Sequence, residues 1–379
     1  MNKTLKIISF FILFVVILQF FPVSYNFAFA KNSTKEPEAV AVLEVSSGRV
    51  LYAKDENEKL PMASTTKILT AIVAIENTDN LDKEYIIPKE AVGIEGSSIY
   101  LKEGEQISLR ELLYGLMLRS GNDAAVAIAV IVSGSIEKFV ELMNSYCDKL
   151  NLQNSHFVTV NGLHDENHYT SALDMAKISS YALKNPIFSE IVNTKEKVID
   201  STLNGKIKTR ILKNKNKLLS MVEGADGIKT GYTKKAGKCF VGSATRDGMQ
   251  VVCVVLNSKT MFEECAEFLE CSFKQYKLKK LFEKGEIQNV TLPIKKKQNF
   301  PILLKNDIIL PINEEELQKI YARVVVRSDL KVPISDSEPI GDIEIYKEKD
   351  LIFSDKIYTI SIEDEWTISD YIGKVIQIF

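Results

Sequence analysis

Apolar positions in the first half of the chain follow two different periods. Residues 38–44 and 49–53 have the pattern of short strands, and Ser46-Ser47-Gly48 between them is typical of a hairpin turn. From Ile136 onward, apolar residues recur every three or four positions, which is the period of a helix. This period predicts a helix over 136–150. A capping box at Ser108 and Glu111 predicts another over 108–118, the Ala- and Val-rich segment 122–132 has the composition of a buried helix, and we predict further helices over 64–75 and 171–183.

Strand patterns return in the middle of the chain and are followed by one more helix. The strand-like segments are 227–233, 239–245 and 249–256. The helix after them presents one apolar face, made of Phe262, Cys265, Ala266, Leu269, Phe273 and Tyr276. Strands at both ends with helices between them predict an α/β (α+β) domain. In such a domain an antiparallel sheet is closed by both ends of the domain and carries a helical insertion.

The pattern changes after residue 278. Short strand-like segments at 287–292, 321–326, 340–346 and 357–362 are separated by clusters of Pro, Asp and Lys. We therefore predict a separate all-β C-terminal domain over 279–364, which is within the usual size range of domains.

The last segment, 365–379, has the spacing of an amphipathic helix. Its apolar face consists of Ile368, Tyr371, Ile372, Val375, Ile376 and Phe379. The segment is too short to span a bilayer, so the spacing predicts peripheral contact with a membrane. A helix that packs against the β domain is the alternative.

The first thirty residues have the three parts of a secretory signal peptide. Lys3 and Lys6 form a basic start, residues 7–21 are almost entirely apolar, and Ala28-Phe29-Ala30 supplies small residues for cleavage. We predict a signal peptide over 1–30, a first domain over 31–278, and export to the outer face of the membrane or beyond. An uncleaved anchor helix is the alternative, although the apolar run is short for a span of about 20 residues.

Composition limits the function further. Of 379 residues, 45% are hydrophobic and 26% are charged, which is the balance of a folded protein. A formal net charge of −2 gives no strongly basic face, so no nucleic-acid partner is expected. The 5 cysteines have no C-x-x-C spacing, and most lie in apolar strand or helix patterns, which predicts buried free thiols.

Ser64-Thr65-Thr66-Lys67 is the first of three short motifs that carry chemistry. A serine hydroxyl needs a base to become a nucleophile, and on a helix Lys67 lies on the same face as Ser64. Burial among apolar neighbours can lower the pKa of a lysine enough for it to act as that base. The motif alone is a weak signal, because Ser-Thr-Thr is also a good helix N-terminus.

Two further motifs follow along the chain. Ser120-Gly121-Asn122 lies between two predicted helices, where a hydroxyl and an amide can project into a cleft. Lys229-Thr230-Gly231 lies in a predicted strand, and at a sheet edge its charge and hydroxyl can bind a carboxylate. Gly231 would leave room for the backbone of a ligand. Taken singly, a helix–helix turn and a surface lysine on an edge strand explain these motifs equally well.

The order S-x-x-K, S-x-N and K-T-G is specific to penicillin-binding proteins and serine β-lactamases. Residues 38–275 resemble the low-molecular-mass serine D-alanyl-D-alanine carboxypeptidases of peptidase family S11, and segments 61–67 and 226–233 carry most of the resemblance. Segments 161–164 and 174–176 match the family as well. The resemblance implies a β-lactamase/DD-peptidase-like antiparallel sheet with a helical subdomain, followed by the small all-β domain.

The resemblance also implies the activity, which is removal of the terminal D-alanine from peptidoglycan pentapeptide stems, with β-lactams as inhibitors and no metal or cofactor. It assigns a nucleophile that forms the acyl-enzyme (Ser64), a general base (Lys67), a proton relay (Ser120), substrate-binding groups (Asn122, Lys229, Thr230 and Gly231), and an oxyanion hole made by the backbone N–H groups of Ser64 and Tyr232. Many relatives use an upstream Arg to help bind the carboxylate. Here residues 214–217 read Asn-Lys-Asn-Lys, so that role is open or passes to a lysine.

Other functions stay open on the sequence alone. A class A β-lactamase needs a deacylating Glu, and Glu166 lies in the right part of the chain, but Gly121 and Thr170 depart from that pattern. A non-catalytic β-lactam sensor would be expected to keep a transmembrane signalling segment. A zinc site at His164 and His168 is disfavoured, because the pair lacks a helical frame.

Overall fold

The computed structural model describes residues 37–294, 298–330, 333–362 and 375–377, which fall in one compact unit. The predicted signal peptide over 1–30 and most of the predicted C-terminal helix lie outside these residues. No helix among the described residues combines the length and the apolar character needed to cross a membrane.

Eight α-helices lie in the described part of the chain, and a 3-10 turn at Ala63–Thr66 leads into the first of them. In chain order they are α1 (Lys67–Glu76), α2 (Leu109–Arg119), α3 (Asn122–Ser133), α4 (Ile136–Lys149), α5 (Ala172–Leu183), α6 (Pro186–Asn193), α7 (Leu218–Met221) and α8 (Met261–Gln275). The capping box expected at the start of α2 is present, since Ser108 and Glu111 each accept from the other's backbone N–H. The six predicted helices are confirmed, whereas α6 and α7 are too short for a period to show.

The described strands pair in five antiparallel sheets. In chain order they are β1 (Ala39–Glu44), β2 (Val50–Lys54), β3 (Glu84–Ile86), β4 (Gln106–Ser108), β5 (Glu196–Leu203), β6 (Lys206–Lys213), β7 (Ala225–Thr233), β8 (Gly237–Arg246), β9 (Met249–Ser258), β10 (Lys277–Phe282), β11 (Gly285–Ile294), β12 (Gln298–Leu304), β13 (Ile308–Ile312), β14 (Ile320–Val326), β15 (Gly341–Lys347), β16 (Asp350–Ile357) and β17 (Val375–Gln377).

The central sheet has the strand order β2-β1-β9-β8-β7. β1 pairs with β9 along its whole length, so the two ends of the domain meet in the middle of the sheet. Alternate residues of β1 pack on opposite faces: Ala41 joins the core of the helical subdomain, and Val42 joins a cluster that includes Leu269 of α8. This arrangement confirms the predicted α+β fold with a helical insertion, and it leaves β7 at one edge of the sheet.

The sequence pattern does not predict the second sheet, of order β3-β4-β5-β6. β5 and β6 form a hairpin with largely exposed side chains, so their apolar alternation is weak. The turn between them is Asn204-Gly205, with φ angles of 52° and 72°. Two-residue hairpin turns need this left-handed conformation, so the Asn-Gly pair is the sequence signal that identifies the hairpin.

Strands β10 to β17 form three sheets around their own apolar cluster, whose fully buried members include Ile302, Leu310, Val324 and Ile343. β11, β14 and β15 confirm the strands predicted at 287–292, 321–326 and 340–346. The domain limit at 278/279 stays a prediction, and β10, which pairs with β13, runs across it.

The strand predicted at 357–362 is wrong. β16 ends at Ile357, and the residues after it make only isolated bridges, Tyr358 with Leu303 and Ile362 with Ile334. The alternating pattern is real, but the segment passes from one group of strands to another and pairs briefly with each, so it cannot form a continuous ladder.

The C-terminal helix predicted over 365–379 is wrong at three positions. Val375–Gln377 form β17, which pairs with β14 from Arg323 to Val325. β-branched residues favour strands, and pairing satisfies the backbone groups along the edge of β14. An isolated helix of this length is marginal in water. Ile368, Tyr371, Ile372 and Phe379 lie outside the described residues, so the predicted membrane contact has no support here.

A buried ion pair connects the central sheet to the C-terminal strands. Arg49 precedes β2, and its guanidinium lies 2.7 Å from Glu316, with both side chains 4% exposed. The same guanidinium donates to the carbonyl of Pro311 and lies over the ring of Tyr276. Lys347 adds a second cation at 3.1 Å from Glu316. Removing one partner of such a pair leaves an uncompensated buried charge, so this contact fixes the C-terminal strands against the central sheet.

The cysteines largely match expectation. Cys147, Cys239, Cys253 and Cys265 are buried thiols without a disulfide. Burial raises the pKa of Cys239 to about 11 and that of Cys147 to about 12, which keeps these thiols protonated and unreactive. Cys271 is half-buried, unlike the prediction.

Candidate active site

The hydroxyl groups of two threonines stabilise the turn that carries Ser64. Ala63, the first residue of the 3-10 turn, has a φ of 50°, and Ser64 beside it is half-exposed just before the start of α1. Thr65 donates its hydroxyl to the carbonyl of Met62 at 2.7 Å, and Thr66 donates to the carbonyl of Ala63 at 2.8 Å. Both threonines are fully buried, so the Ser-Thr-Thr sequence forms a rigid support rather than an N-cap.

Lys67 lies directly beneath the Ser64 hydroxyl. The Lys67 side chain is fully buried, and its Nζ lies 3.0 Å from Ser64 Oγ and 2.7 Å from Asn122 Oδ1. A third contact goes to the carbonyl oxygen of Asn161. The two carbonyl-type oxygens can only accept, so they take two N–H groups of the lysine. A neutral Lys67 therefore keeps its lone pair for the Ser64 hydroxyl, as a general base requires.

The electrostatic surroundings favour that neutral form. Burial lowers the pKa of Lys67 well below its usual value, and the charges of Lys229 and Lys215 lower it further, while Asp123 acts in the opposite direction. Desolvation penalises an ammonium group, and neighbouring cations repel it. Ser64 itself lies outside the first turn of α1, where a helix dipole acts most strongly, because the α-helix begins only at Lys67.

The K-T-G segment lies on the edge strand β7, as predicted for a strand beside a cleft. Lys229 is 2% exposed and its Nζ donates to the carbonyl of Thr230 at 2.8 Å. Burial, followed by the charge of Lys215, lowers the pKa of Lys229 to about 7. A carboxylate beside it would favour its charged form, so anion binding and protonation of Lys229 are coupled.

Two glycines allow the chain to approach the Ser64 turn closely. A Cβ on Gly231 would lie 3.0 Å from the Ser64 nitrogen, so β7 passes directly beside that N–H group. The next residue, Tyr232, is 67% exposed. A Cβ on Gly162 would lie 2.0 Å from the carbonyl oxygen of Ala63. The sequence predicted that Gly231 leaves room for the backbone of a ligand. In the structure, the missing side chain of Gly231 makes room for the backbone of Ser64.

The S-G-N motif forms a tight turn between two helices. Ser120 caps α2 in the left-handed conformation, with a φ of 60°, and Asn122 begins α3. The Asn122 amide accepts from Lys67 and donates to the carbonyl of Glu95 at 2.6 Å. Ser120 is 5% exposed. The structure therefore brings the three motifs together around Lys67, while the roles of Ser120 and Asn122 towards substrate stay predictions.

Asp123 is a positioning residue that the sequence reasoning missed. Its carboxylate is 2% exposed and accepts from Ser98 Oγ at 2.6 Å and from the backbone N–H groups of Ile99 and Leu101 at 3.1 Å. It thereby ties the segment around residues 98–101 to the start of α3. An acidic residue in the first turn of a helix is common, so the sequence gives no distinguishing signal.

Lys215, in the segment 214–217 that stands where many relatives have an upstream Arg, lies near Lys67 and Lys229. Its Nζ donates to Ser97 Oγ at 3.2 Å, and its backbone N–H donates to the carbonyl of Leu118. Burial lowers the pKa of Lys215, with a smaller contribution from Arg119. Lys215 lowers the pKa of both Lys229 and Lys67, so the three lysines share one electropositive region.

The two histidines considered for zinc lie in different environments. His168 Nε2 lies 2.7 Å from Thr66 Oγ1, and its Nδ1 accepts from the backbone of Val158, so it supports the Ser64 turn. Burial lowers the pKa of His168 to about 4. His164 pairs instead with Glu166 at 3.1 Å. No group of three or more potential metal-ligating His, Cys, Asp or Glu side chains occurs in the described ranges.

The fold and the lysine-paired serine beside K-T-G define the class of serine DD-peptidases. A family model described as D-alanyl-D-alanine carboxypeptidase, peptidase S11, matches residues 28–260. A model of the penicillin-binding protein 5 C-terminal domain matches residues 276–362. The chain therefore belongs to the D-alanyl-D-alanine carboxypeptidase family S11, whose members are serine hydrolases.

Relatives that match nearly the full length of this chain and relatives that match about two thirds of it are both similar to it. The D-alanyl-D-alanine carboxypeptidase DacF of Bacillus subtilis is 30% identical over 359 residues, which cover 92% of each chain. Penicillin-binding protein 5 from Haemophilus influenzae has a TM-score of 0.73 and 26% identity, covering 88% of this chain and 98% of its own. The Streptomyces K15 DD-transpeptidase has a TM-score of 0.62 and 32% identity, covering 65% of this chain and 100% of its own.

Proposed function

We propose that this carboxypeptidase is exported and removes the terminal D-alanine from peptidoglycan pentapeptide stems through an acyl-enzyme on Ser64, and that penicillin inhibits it by acylating the same residue. The observation that carries the proposal is the 3.0 Å contact between Ser64 Oγ and the buried Lys67 Nζ. The other two partners of that amine are acceptors, so its lone pair is directed to the hydroxyl.

Acylation follows from this arrangement. Lys67 takes the Ser64 proton, and Ser64 Oγ attacks the carbonyl carbon of the penultimate D-alanine. The developing oxyanion lies between the backbone N–H groups of Ser64 and Tyr232, and each such donor typically contributes a factor of about 10² to 10³ to the rate. The carbon–nitrogen bond then breaks. Ser120 gives its proton to the leaving amine and takes the proton that Lys67 received from Ser64, so free D-alanine departs and Lys67 is neutral again.

The leaving D-alanine carries a carboxylate that needs a cationic partner. Lys229 and Thr230 lie on the edge strand beside Ser64, and Lys215 faces the same region. We propose that Lys215 supplies the charge that an Arg supplies in many relatives. Binding of the carboxylate would raise the pKa of Lys229 again, so Lys229 holds the substrate as an ammonium. Gly231 leaves β7 free to align with the stem peptide, while Asn122 holds its amide.

Hydrolysis of the acyl-enzyme completes the cycle. A water molecule takes the place of the departed amine and attacks the ester carbonyl while Lys67 accepts its proton. The ester bond to Ser64 then breaks, and Lys67 returns that proton to Ser64 Oγ. Glu166, which a class A β-lactamase would use here, is 81% exposed and pairs with His164 and Lys235. No observation therefore favours the β-lactamase alternative.

The proposal is tested by D-alanine release from diacetyl-lysyl-D-alanyl-D-alanine, with and without prior incubation with benzylpenicillin. We expect release that penicillin abolishes, and no release by Ser64→Ala. Ser145→Ala, which removes an exposed serine on α4, is the matched control and should behave as the wild type. Release by Ser64→Ala would contradict the mechanism, and rapid turnover of penicillin would indicate a β-lactamase. Export is tested by the mass of the secreted chain, which should begin at Lys31.

A further inference from the structure

Two segments that pack against the Ser64 turn meet again at one end of the cleft. Gly162 and Gly231 both lie against the backbone around Ser64. Four residues further along each segment, Glu166 and Lys235 approach each other, with Lys235 Nζ 3.9 Å from Glu166 Oε1. We call His164, Glu166 and Lys235 the charged rim.

The side chains of the charged rim are accessible to a ligand. Glu166 is 81% exposed and Lys235 is 60% exposed, and their separation is longer than a hydrogen bond. His164 Nε2 lies 3.1 Å from the same Glu166 oxygen, which orients the carboxylate on its own loop. An anionic and a cationic side chain are therefore held side by side without neutralising each other through a short bond. The neighbouring Lys234, also exposed, adds to the positive side.

The direction of a bound peptide follows from the proposed function, on which this inference rests. The terminal carboxylate lies at Lys229 and Lys215, and the scissile carbonyl lies at Ser64. The acyl part of the stem must then continue past Gly231 in the direction of Tyr232. That direction leads along β7 to the turn that carries Lys235.

The distances agree with the third residue of the stem. Four residues of extended chain span at most about 13 Å, which bounds the distance from the Ser64 turn to the charged rim. In the peptide, the third residue begins about 3.8 Å beyond the penultimate D-alanine, and a long side chain reaches about 6 Å further. Together these lengths extend about 10 Å from the penultimate D-alanine, which is comparable with the bound on the distance to Glu166 and Lys235.

We propose that the charged rim binds a third residue whose side chain ends in both an ammonium and a carboxylate, as in meso-diaminopimelate. Glu166 pairs with the ammonium, and Lys235 pairs with the carboxylate. A lysine side chain offers only the ammonium and places it near Lys235, so it satisfies one partner and is repelled by the other. The charged rim is thus a specificity determinant that acts on the acyl side of the cleaved bond.

The test compares three peptides of sequence L-Ala-γ-D-Glu-X-D-Ala-D-Ala, in which X is meso-diaminopimelate, lysine or norleucine. The readout is kcat/KM for D-alanine release. For the wild type we expect diaminopimelate to exceed lysine by about fivefold, which is the ratio that one exposed ion pair supports. Lys235→Ala should abolish the preference for diaminopimelate over lysine. Glu166→Gln should abolish the preference for lysine over norleucine. Lys319→Ala, which removes an exposed lysine paired with Glu348, should keep every ratio.

Equal kcat/KM values for the three peptides in the wild type would overturn the inference while leaving the proposed function intact. The same holds if either rim variant changes all three peptides by one common factor. Failure of the wild type to release D-alanine from any peptide would instead refute the proposed function, and the inference with it.

Discussion

Gly162→Ala tests how strongly the loop at 161–168 fixes the position of Ser64. A Cβ at this position would lie 2.0 Å from the carbonyl oxygen of Ala63, whereas a carbon and an oxygen normally stay about 3.3 Å apart. The two backbones must therefore separate by more than about 1 Å. Either Ser64 moves with Ala63, or Asn161 moves and loses its contact with Lys67. A misplacement of about 1 Å typically lowers a rate about 100-fold, and we expect that loss for acylation by penicillin.

The assay is the second-order rate of labelling with a fluorescent penicillin, measured beside thermal unfolding. Gly134→Ala is the matched control, because Gly134 has a φ of 80°, close to the 84° of Gly162, but no atom within 4 Å of the added Cβ. Both variants carry the same left-handed strain of about 1 to 2 kcal/mol, so only the clash differs. Gly162→Ala that acylates as fast as Gly134→Ala would refute the reasoning.

Three further changes have expected outcomes. Asp123→Asn removes the charge that anchors residues 98–101, so we expect a stability loss of about 1.5 to 3 kcal/mol in urea denaturation; unchanged stability would contradict the anchoring role. Lys215→Met removes a cation that lowers the pKa of Lys67. That pKa then rises, and the acidic limb of the pH profile for penicillin acylation moves to higher pH; a shift to lower pH would have the wrong sign. Glu316→Leu leaves Arg49 buried without its carboxylate partner, which should reduce the free energy of unfolding by about 3 to 5 kcal/mol, whereas adding Arg49→Met should recover most of the loss. If Glu316→Leu alone were as stable as the wild type, the ion pair would not be what holds the C-terminal strands in place.

Helices and strands whose apolar residues recur with a clear period could be predicted from the sequence. Segments whose structure depends on pairing with a distant strand could not. Helices α4 and α8 have long apolar faces, and the central strands are apolar runs that both faces of the sheet bury. Val375–Gln377 also fit a helical spacing, but an available strand edge decides their structure. The spacing of apolar side chains indicates which face of a segment is apolar. It does not indicate whether a strand edge lies nearby for the segment to pair with.

The candidate site shows the same division. The motifs identified Ser64, Lys67 and Lys229, and the structure places the first two in contact and the third close enough to lower the pKa of Lys67. The supporting contacts of Asp123 and His168 arise from segments distant in the sequence. A buried aspartate at a helix start and a buried histidine in a loop look ordinary until the fold brings their partners to them.

The central claim is that Ser64 is the nucleophile that Lys67 activates. The most direct measurement is tandem mass spectrometry of the tryptic peptide 60–67 after a brief reaction of the purified protein with benzylpenicillin. This peptide contains three hydroxyl groups, at Ser64, Thr65 and Thr66, so fragmentation must assign the adduct to one of them. We predict a penicilloyl group on Ser64 in the wild type. The adduct should be strongly reduced in Lys67→Met, whose corresponding tryptic peptide spans 60–83 because residue 67 is no longer a cleavage site. An adduct on another residue, or labelling of Lys67→Met at the rate of the wild type, would contradict the account.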